Sequence, residues 1–362
     1  MTPKILILAD INSTHTQKWV LGLSNDNFKI GIFSFNASES NWFKDKKNII
    51  CLNKKEKKSK LNLLNKLAYL LFWPRLIYQI FKFKPDVIHS HYASSYGLLG
   101  ALTFFKPFIV SAWGSDLMEF PTKNWLNKLM IKFVLYRADE ICVTSSVLQK
   151  EISLYTKKQS KIIPFGINLN LFYSNRLRNN IEFIFGCVKN LEPIYNIDKT
   201  VLAFSLLLKK YPHLNLKLKI IGHGSQKNEL INLMNQCGIQ NNIKFIGAVP
   251  HDQIPYYLNR LDVFINVSEI ESFGVSIAEA MACKIPVIVS NLEGFKDLVP
   301  DESVGLITAS TSPEDIFIAM EKTLLNSELR MQISKNAYQR IIEKFNWSQN
   351  LNQMEDLYFE LA

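Results

Sequence analysis

Two successive α/β lobes, each built on a doubly wound parallel sheet, are the fold class this sequence predicts. Short β-rich runs alternate with helix-length stretches along the chain, the pattern left by parallel strands joined through crossover helices. The alternation restarts after a turn-rich, basic stretch near the middle, and 362 residues with 48% hydrophobic content suffice for two cores.

The first lobe opens with KILILAD (4–10) and continues with FKIGIFSF (28–35), DVIHSH (86–91), FIVSAWG (108–114) and EICVTSS (140–146). The second takes up the theme with FIFGCV (183–188), LKLKIIGHG (216–224), NIKFIGA (242–248), DVFINVS (262–268), IPVIVSN (285–291) and VGLIT (304–308). Between them, IPFGINLNLFYSNRLRNN (163–180) has turn residues and a polar, basic end, which places a linker near 166–181. The last helices are PEDIFIAMEKTLL (313–325) and SELRMQISKNAYQRIIEKF (327–345), followed by WSQNLNQMEDLYFELA. Pro313 with two acids after it is a good helix start, since proline suits the first turn and carboxylates suit its positive end.

Composition narrows the function classes. Apolar runs such as IKFVLYR (131–137) are short and interrupted by charge, below the roughly 20 apolar residues a membrane span needs. MTPKILILAD runs straight into Asp10 without a small-residue cleavage site; a cytoplasmic protein is expected. Five scattered cysteines, never spaced Cys-x-x-Cys, argue against zinc ribbons and a disulfide framework. A net charge of +10 implies attraction to something anionic. No nucleic-acid-binding module or basic–aromatic repeat accompanies it, so nucleic acid is not expected as a partner.

SEIESFGVSIAEAMA (268–282) sets Glu271 and Glu279 across a strand-to-helix turn. In a parallel sheet ligands bind outside the carboxyl ends of strands, and free N–H groups at the helix start, around Phe273 to Ser276, would attract a phosphate or a sugar hydroxyl. The two carboxylates could accept hydrogen bonds from sugar and ribose hydroxyls. The helix dipole stabilises a glutamate there in any case, so spacing alone does not separate a site from an ordinary helix start.

The surrounding sequence resembles the family-four retaining glycosyltransferases with the GT-B fold (glycosyl transferases group 1), in which two Rossmann-like lobes face a cleft. RLDVFINVSEIESFGVSIAEAMACKIPVIVSNLEGFKDLV and FNWSQNLNQMEDLY carry the likeness most strongly; KIIPFGINLNLF, LKIIGHGSQKNEL and IKFIGAVPHDQIPYYL add to it. The resemblance implies an acceptor-binding lobe over 1–170, a nucleotide-sugar-binding lobe over 171–345 and a final helix, 346–362, crossing back to the first. It further implies sugar transfer from a UDP- or GDP-sugar with retention, without a metal or other cofactor. Glu271 would contact the donor sugar, the backbone of Ser272, Phe273, Gly274 and Val275 would lie near sugar and phosphates, and Glu279 would hold the ribose. Gly222 and Gly224 would let the chain approach the donor, and Val249 would help seat the base.

Departing pyrophosphate needs cations or N–H dipoles. The family supplies an arginine and, five or six residues later, a Lys-Gly pair. Here CVKNLEPIYNID offers Lys189 in the arginine's place, or Asn190 in another register, and Tyr195-Asn196 in place of the pair; Lys199 is left open as a substitute. Lys284 stands where the motif usually has glycine, and Asp297 where glutamate is usual.

On the acceptor side, ADINSTHTQKW (9–19) lacks Gly-x-Gly-x-x-Gly, against a dinucleotide-binding oxidoreductase. Asp10, Asn12, Ser13 and His15 could grip an acceptor, or Ser13 could simply cap a helix. His91 is assigned to the acceptor side; His89 and His91 lack a third ligand for a metal. In FIVSAWGSDL, Trp113 stands where the family often has histidine. It could stack on a sugar, and Asp116 could accept a hydroxyl hydrogen; a core indole and a helix cap are the alternatives. KKEKKSKLNLLNKLAYLLFWPRLIYQIFKFK (54–84) suits docking on an anionic membrane or is a core-facing helix, with Pro74 expected to break or kink it.

The function expected from this resemblance is transfer of a sugar to a glycan or lipid-linked acceptor in bacterial-type cell-surface polysaccharide assembly, such as lipopolysaccharide or capsule, peripherally at the inner face of the cytoplasmic membrane. The alternatives are a GT-B sugar-nucleotide epimerase and a non-catalytic nucleotide-sugar-binding protein.

Overall fold

A computed structural model describes residues 2–52, 70–175 and 181–362. The chain divides into two compact units, Met1–Phe165 with Ser348–Ala362, and Gly166–Trp347.

The first unit carries a seven-stranded sheet: β1 (Lys4–Leu8), β2 (Lys29–Phe33), β3 (Ile49–Cys51), β4 (Val87–His91), β5 (Phe108–Ala112), β6 (Glu140–Val143) and β7 (Lys161–Ile162). Their order is β3-β2-β1-β4-β5-β6-β7, parallel throughout. The second unit carries β8 (Phe183–Val188), β9 (Leu216–Ile221), β10 (Ile243–Gly247), β11 (Val263–Asn266), β12 (Val287–Ser290) and β13 (Leu306–Thr308), ordered β10-β9-β8-β11-β12-β13, also parallel. Both orders reverse direction once, between β1 and β4 and between β8 and β11. At such a switch the following helices leave on opposite faces and open a crevice at the strand carboxyl ends.

The central strands are buried on both sides, as the near-continuous apolar runs require. Leu6, Leu8, Ile88, Phe108 and Val110 belong to the first core, and Phe185, Leu218, Ile220, Val263 and Ile265 to the second. Exchanging one such leucine for alanine costs about 2–5 kcal/mol. The strands missed in the sequence, β3 and β7, are a three-residue and a two-residue edge, too short to show alternation. Edges are commonly kept that short to discourage pairing with other chains.

Ser312 caps the helix Pro313–Leu325 by accepting from the Asp315 amide at 3.2 Å, with Pro313 in the first turn. Pro74 takes the same position in the helix Trp73–Phe83, so it starts that helix rather than breaking it: a first-turn N–H has no helical acceptor to lose. The earlier half of the 54–84 stretch, through residue 69, lies outside the described residues. The closing helix, Trp347–Leu361, buries Tyr358, whose hydroxyl lies 2.6 Å from Nδ1 of His89. No described helix is long and apolar enough to cross a membrane.

Candidate active site

The switch point of the second unit gathers the charged residues singled out in the sequence. Lys189 directly follows β8, its amide donating to the Ile221 carbonyl at 2.9 Å. Glu271 lies in the loop after β11, and its carboxylate accepts from the Lys189 ammonium. Both side chains are mostly buried, 16% and 21% exposed, so the pair is screened far less than a surface ion pair. The same ammonium lies 4.4 Å from the centroid of the Tyr195 ring, a cation–π distance. Of Lys189 and Asn190, the two candidates for the arginine's place, Lys189 is the one paired with Glu271.

Tyr195 and Asn196 stand where the Lys-Gly pair was expected, and Asn196 keeps the backbone of a glycine there, with φ of 52°. Asparagine tolerates this left-handed region better than most residues. Its side chain donates to the Val267 carbonyl at 2.9 Å, and the Glu269 amide donates to the Ile194 carbonyl at 2.8 Å. These two bonds stitch the loop after β8 to the loop after β11. Lys199 is held by Glu269 at 3.0 Å and Thr311 at 3.2 Å, not by Glu271.

Beyond the loop, Gly274 at φ 89° introduces the helix Val275–Ala282. Its first-turn amides point back over the loop, a natural seat for an anion. Phe273 faces the other way, buried against Phe345 with ring centroids 5.3 Å apart, so it can offer a ligand only its backbone. Glu279 is 5% exposed, and its Oε1 lies 2.6 Å from Nε2 of His251. His251 also packs on Phe172, ring centroids 5.3 Å apart. No sequence motif marked His251; only its place just after Val249 and β10 could have drawn attention to it.

The glycines have structural tasks beyond those expected of them. A Cβ at Gly222 would fall 1.9 Å from the Lys189 carbonyl oxygen, and one at Gly224 2.3 Å from that of Leu191. Both are thus demanded by the chain's own close packing of the β9 loop against the β8 loop. Gly294, which the sequence reading passed over, does the same for Glu271: a Cβ there would meet its carbonyl oxygen at 1.7 Å. Val249 is half-buried just after β10.

The remaining predicted residues lie in the first unit, at the carboxyl ends of β1, β4 and β5. Asp10, Ser13, Tyr92 and Asp116 line an open pocket of about 390 Å³. Asp10 accepts from the Asn12 amide at 3.1 Å, and Asn12 bridges to Ala37 at 2.9 Å and Glu39 at 2.8 Å. Ser13 precedes the helix Thr14–Gly22 without a side-chain cap bond. His15 stacks on Phe165 at 4.1 Å and meets Trp113 edge-on at 5.8 Å. Trp113 is nearly buried, 4.6 Å from the His91 ring.

Asp116, expected either to accept a hydroxyl hydrogen or to cap a helix, is engaged by the backbone around it. Its carboxylate accepts from the Ala93, Gly114 and Trp113 amides at 2.7, 2.9 and 3.1 Å and is 2% exposed. Burial pushes its pKa up, against those three bonds, so the group organises the loop around Trp113. His89 has both ring nitrogens engaged, by Tyr358 at 2.6 Å and Ser111 at 2.7 Å, and burial holds its pKa down at about 3.

Known proteins share the sequence family and the fold of this chain. Residues 4–145 match the family model described as Glycosyl transferase 4-like, and residues 174–340 match that of Glycosyl transferases group 1. The alpha-monoglucosyldiacylglycerol synthase of Acholeplasma laidlawii is 27% identical over 74% of this chain and 73% of its own. The capsular polysaccharide biosynthesis glycosyltransferase CapM of Staphylococcus aureus is 27% identical over 78% and 79%. Among solved structures, a sucrose-phosphate synthase from Thermosynechococcus elongatus superposes with a TM-score of 0.80, 18% identity and 99% coverage of both chains. Anabaena HepE in complex with UDP-glucose gives 0.78, 18%, and 99% and 100%.

Proposed function

Because the chain belongs to the group 1 glycosyltransferases and has the GT-B fold, we propose that it transfers a sugar from a nucleotide sugar, with retention of configuration, to a glycan or lipid-linked acceptor of a bacterial-type cell surface. The observation that carries this reading is the Lys189–Glu271 pair at the β8/β11 switch point. A diphosphate leaving group develops negative charge as the glycosidic bond breaks. Lys189 and the first-turn amides of Val275 and Ser276 answer it from preset positions, the kind of contribution worth about 3–4 kcal/mol in rate for one good donor. Glu271 holds the lysine in place and accepts from sugar hydroxyls; Glu279, oriented by His251, accepts from the ribose. Front-face displacement, with the departing phosphate taking the acceptor proton, asks for no protein base, in keeping with the engaged carboxylate of Asp116. Metal independence is part of the proposal.

UDP is favoured as the nucleotide by the UDP-glucose held in HepE. A lipid or surface-polysaccharide acceptor is favoured by the named products of the A. laidlawii and S. aureus relatives. The non-catalytic reading rests on one observation, Tyr195 in place of a second cation. Incubation with a panel of UDP- and GDP-sugars, chelator and membrane extract decides. Labelled sugar moving to lipid or glycan supports the transferase, an isomerised free sugar nucleotide the epimerase, and binding without turnover the non-catalytic protein.

A further inference from the structure

The first unit carries an apolar and basic face that reaches from the described end of the 54–84 stretch to a helix no expectation had marked, and it includes none of the residues assigned to donor or acceptor. The helix Trp125–Arg137 buries Ile131, Val134 and Leu135, as a core-facing helix should, yet its opposite side is apolar as well. Trp125, Leu129 and Tyr136, spaced four and seven residues apart, form one stripe and are 68%, 53% and 73% exposed. Lys128 and Lys132 are exposed along the same side. The stripe continues past the helix end: Arg137 lies over the exposed Phe104 ring at 4.7 Å, and two residues back the Leu102 carbonyl accepts from the Trp73 indole at 3.2 Å. Leu71 beside it is 80% exposed.

Charge separates the possible occupants of this face. Neither 120–138 nor 70–85 contains an acidic residue, while together they hold seven lysines and arginines. A protein partner is the poorer fit, since lysine is depleted at the centres of protein interfaces. Aromatic rings at the level of lipid headgroups, with lysines reaching anionic phosphates, are the pattern of interfacial membrane binding.

We infer that the face running from Trp125 through Tyr136 and Phe104 to Trp73 docks on an anionic lipid bilayer. It lies within one unit and involves none of the residues given to the donor, so it stands or falls separately from the transfer chemistry. Its apolar side chains enter the headgroup layer while Lys128, Lys132 and Arg137 stay with the phosphates. A transferase docked this way works on acceptors presented at a membrane surface.

Co-sedimentation of the full chain with vesicles tests it. Wild-type protein is expected to pellet with phosphatidylcholine–phosphatidylglycerol vesicles and to stay in solution with phosphatidylcholine alone. Lys128→Gln with Lys132→Gln is expected to weaken partition about 30-fold, and Trp125→Ser with Leu129→Ser to abolish it. Leu325→Ser, an exposed leucine of the second unit, should bind as wild type. All three variants change exposed side chains and should melt with the parent. The inference is overturned if wild type ignores anionic vesicles or if the two double variants bind undiminished. It is overturned equally if, without lipid, wild type sediments as a dimer that Trp125→Ser with Leu129→Ser splits into monomers.

Discussion

Replacing Gly294 with alanine isolates what holds Glu271 in place. Gly294 is not in the left-handed region, so alanine is admissible there and only space is at issue. The new methyl carbon would lie 1.7 Å from the Glu271 carbonyl oxygen and 2.7 Å from its carbon. Real contacts of this kind essentially never fall below 3.0 Å, so one backbone must retreat by at least the difference, 1.3 Å. Neither side yields easily: the Phe295 amide is bonded to Leu292 at 2.9 Å, and Glu269 is tied to Ile194 at 2.8 Å. Overpacking of this kind destabilises by about 1–3 kcal/mol, a fall in melting temperature of about 2–4 °C per kcal/mol for a unit of this size. Misplacing a reacting group by about 1 Å lowers turnover about 100-fold. Gly238→Ala is the control. Gly238 has φ of 67° but nothing within 4 Å, so it should lose only about 1–2 kcal/mol of stability to backbone strain and keep its turnover. Calorimetry and sugar-transfer rates on both variants are the assay; Gly294→Ala with wild-type melting and turnover within about twofold of wild type would refute the reasoning.

Lys189→Met should lower kcat about 100- to 1,000-fold through loss of the cation facing the leaving group, with Lys189→Arg recovering most of it; steady-state kinetics with a working donor show which. At Lys284, φ of 58° explains why the family motif has glycine there, and Lys284→Gly should be about 1 kcal/mol more stable than Lys284→Ala in urea titrations; equal midpoints would remove that explanation. Burial keeps the His89 imidazole neutral down to about 3 in the folded chain, whereas the unfolded chain takes up its proton below about 6.5. The stability linked to it is therefore fully present above about pH 6.5 and declines as pH falls from there toward 3, by about 1.4 kcal/mol per unit. His91, lowered by burial, by His89 and by His15, acts in the same direction, so His89→Gln should flatten, though not remove, the decline in denaturant midpoint between about pH 6.5 and 4. An unchanged slope would contradict this.

The fold was legible because buried parallel strands announce themselves. FIFGCV and DVFINVS are continuous apolar runs, and they emerge as β8 and β11; β3 and β7 are too short to leave a pattern. Glu271, Glu279 and Lys189 were singled out by the likeness of their surrounding sequence to a known family, since position after a strand does not by itself separate a site from a helix start. Their partners were not, because contacts such as His251 with Glu279 join residues 28 positions apart and depend on how loops close. Tyr195 was visible only as a missing lysine; the structure shows its ring against Lys189 and the glycine-like backbone of Asn196 beside it. Asp116 shows the reverse limit. A polar residue after a strand end reads equally as an acceptor for a substrate hydroxyl or as a helix cap, and the sequence does not reveal the three amide donors that engage it.

The central claim is that the Lys189–Glu271 pair is the place of sugar transfer. Turnover of a UDP- and GDP-sugar panel by wild type and Glu271→Ala, read by mass spectrometry of nucleotide and glycosylated product, tests it most directly. The account predicts product from at least one donor with wild type and a loss of about 100-fold or more in the variant, with melting unchanged. Full turnover by Glu271→Ala would contradict it.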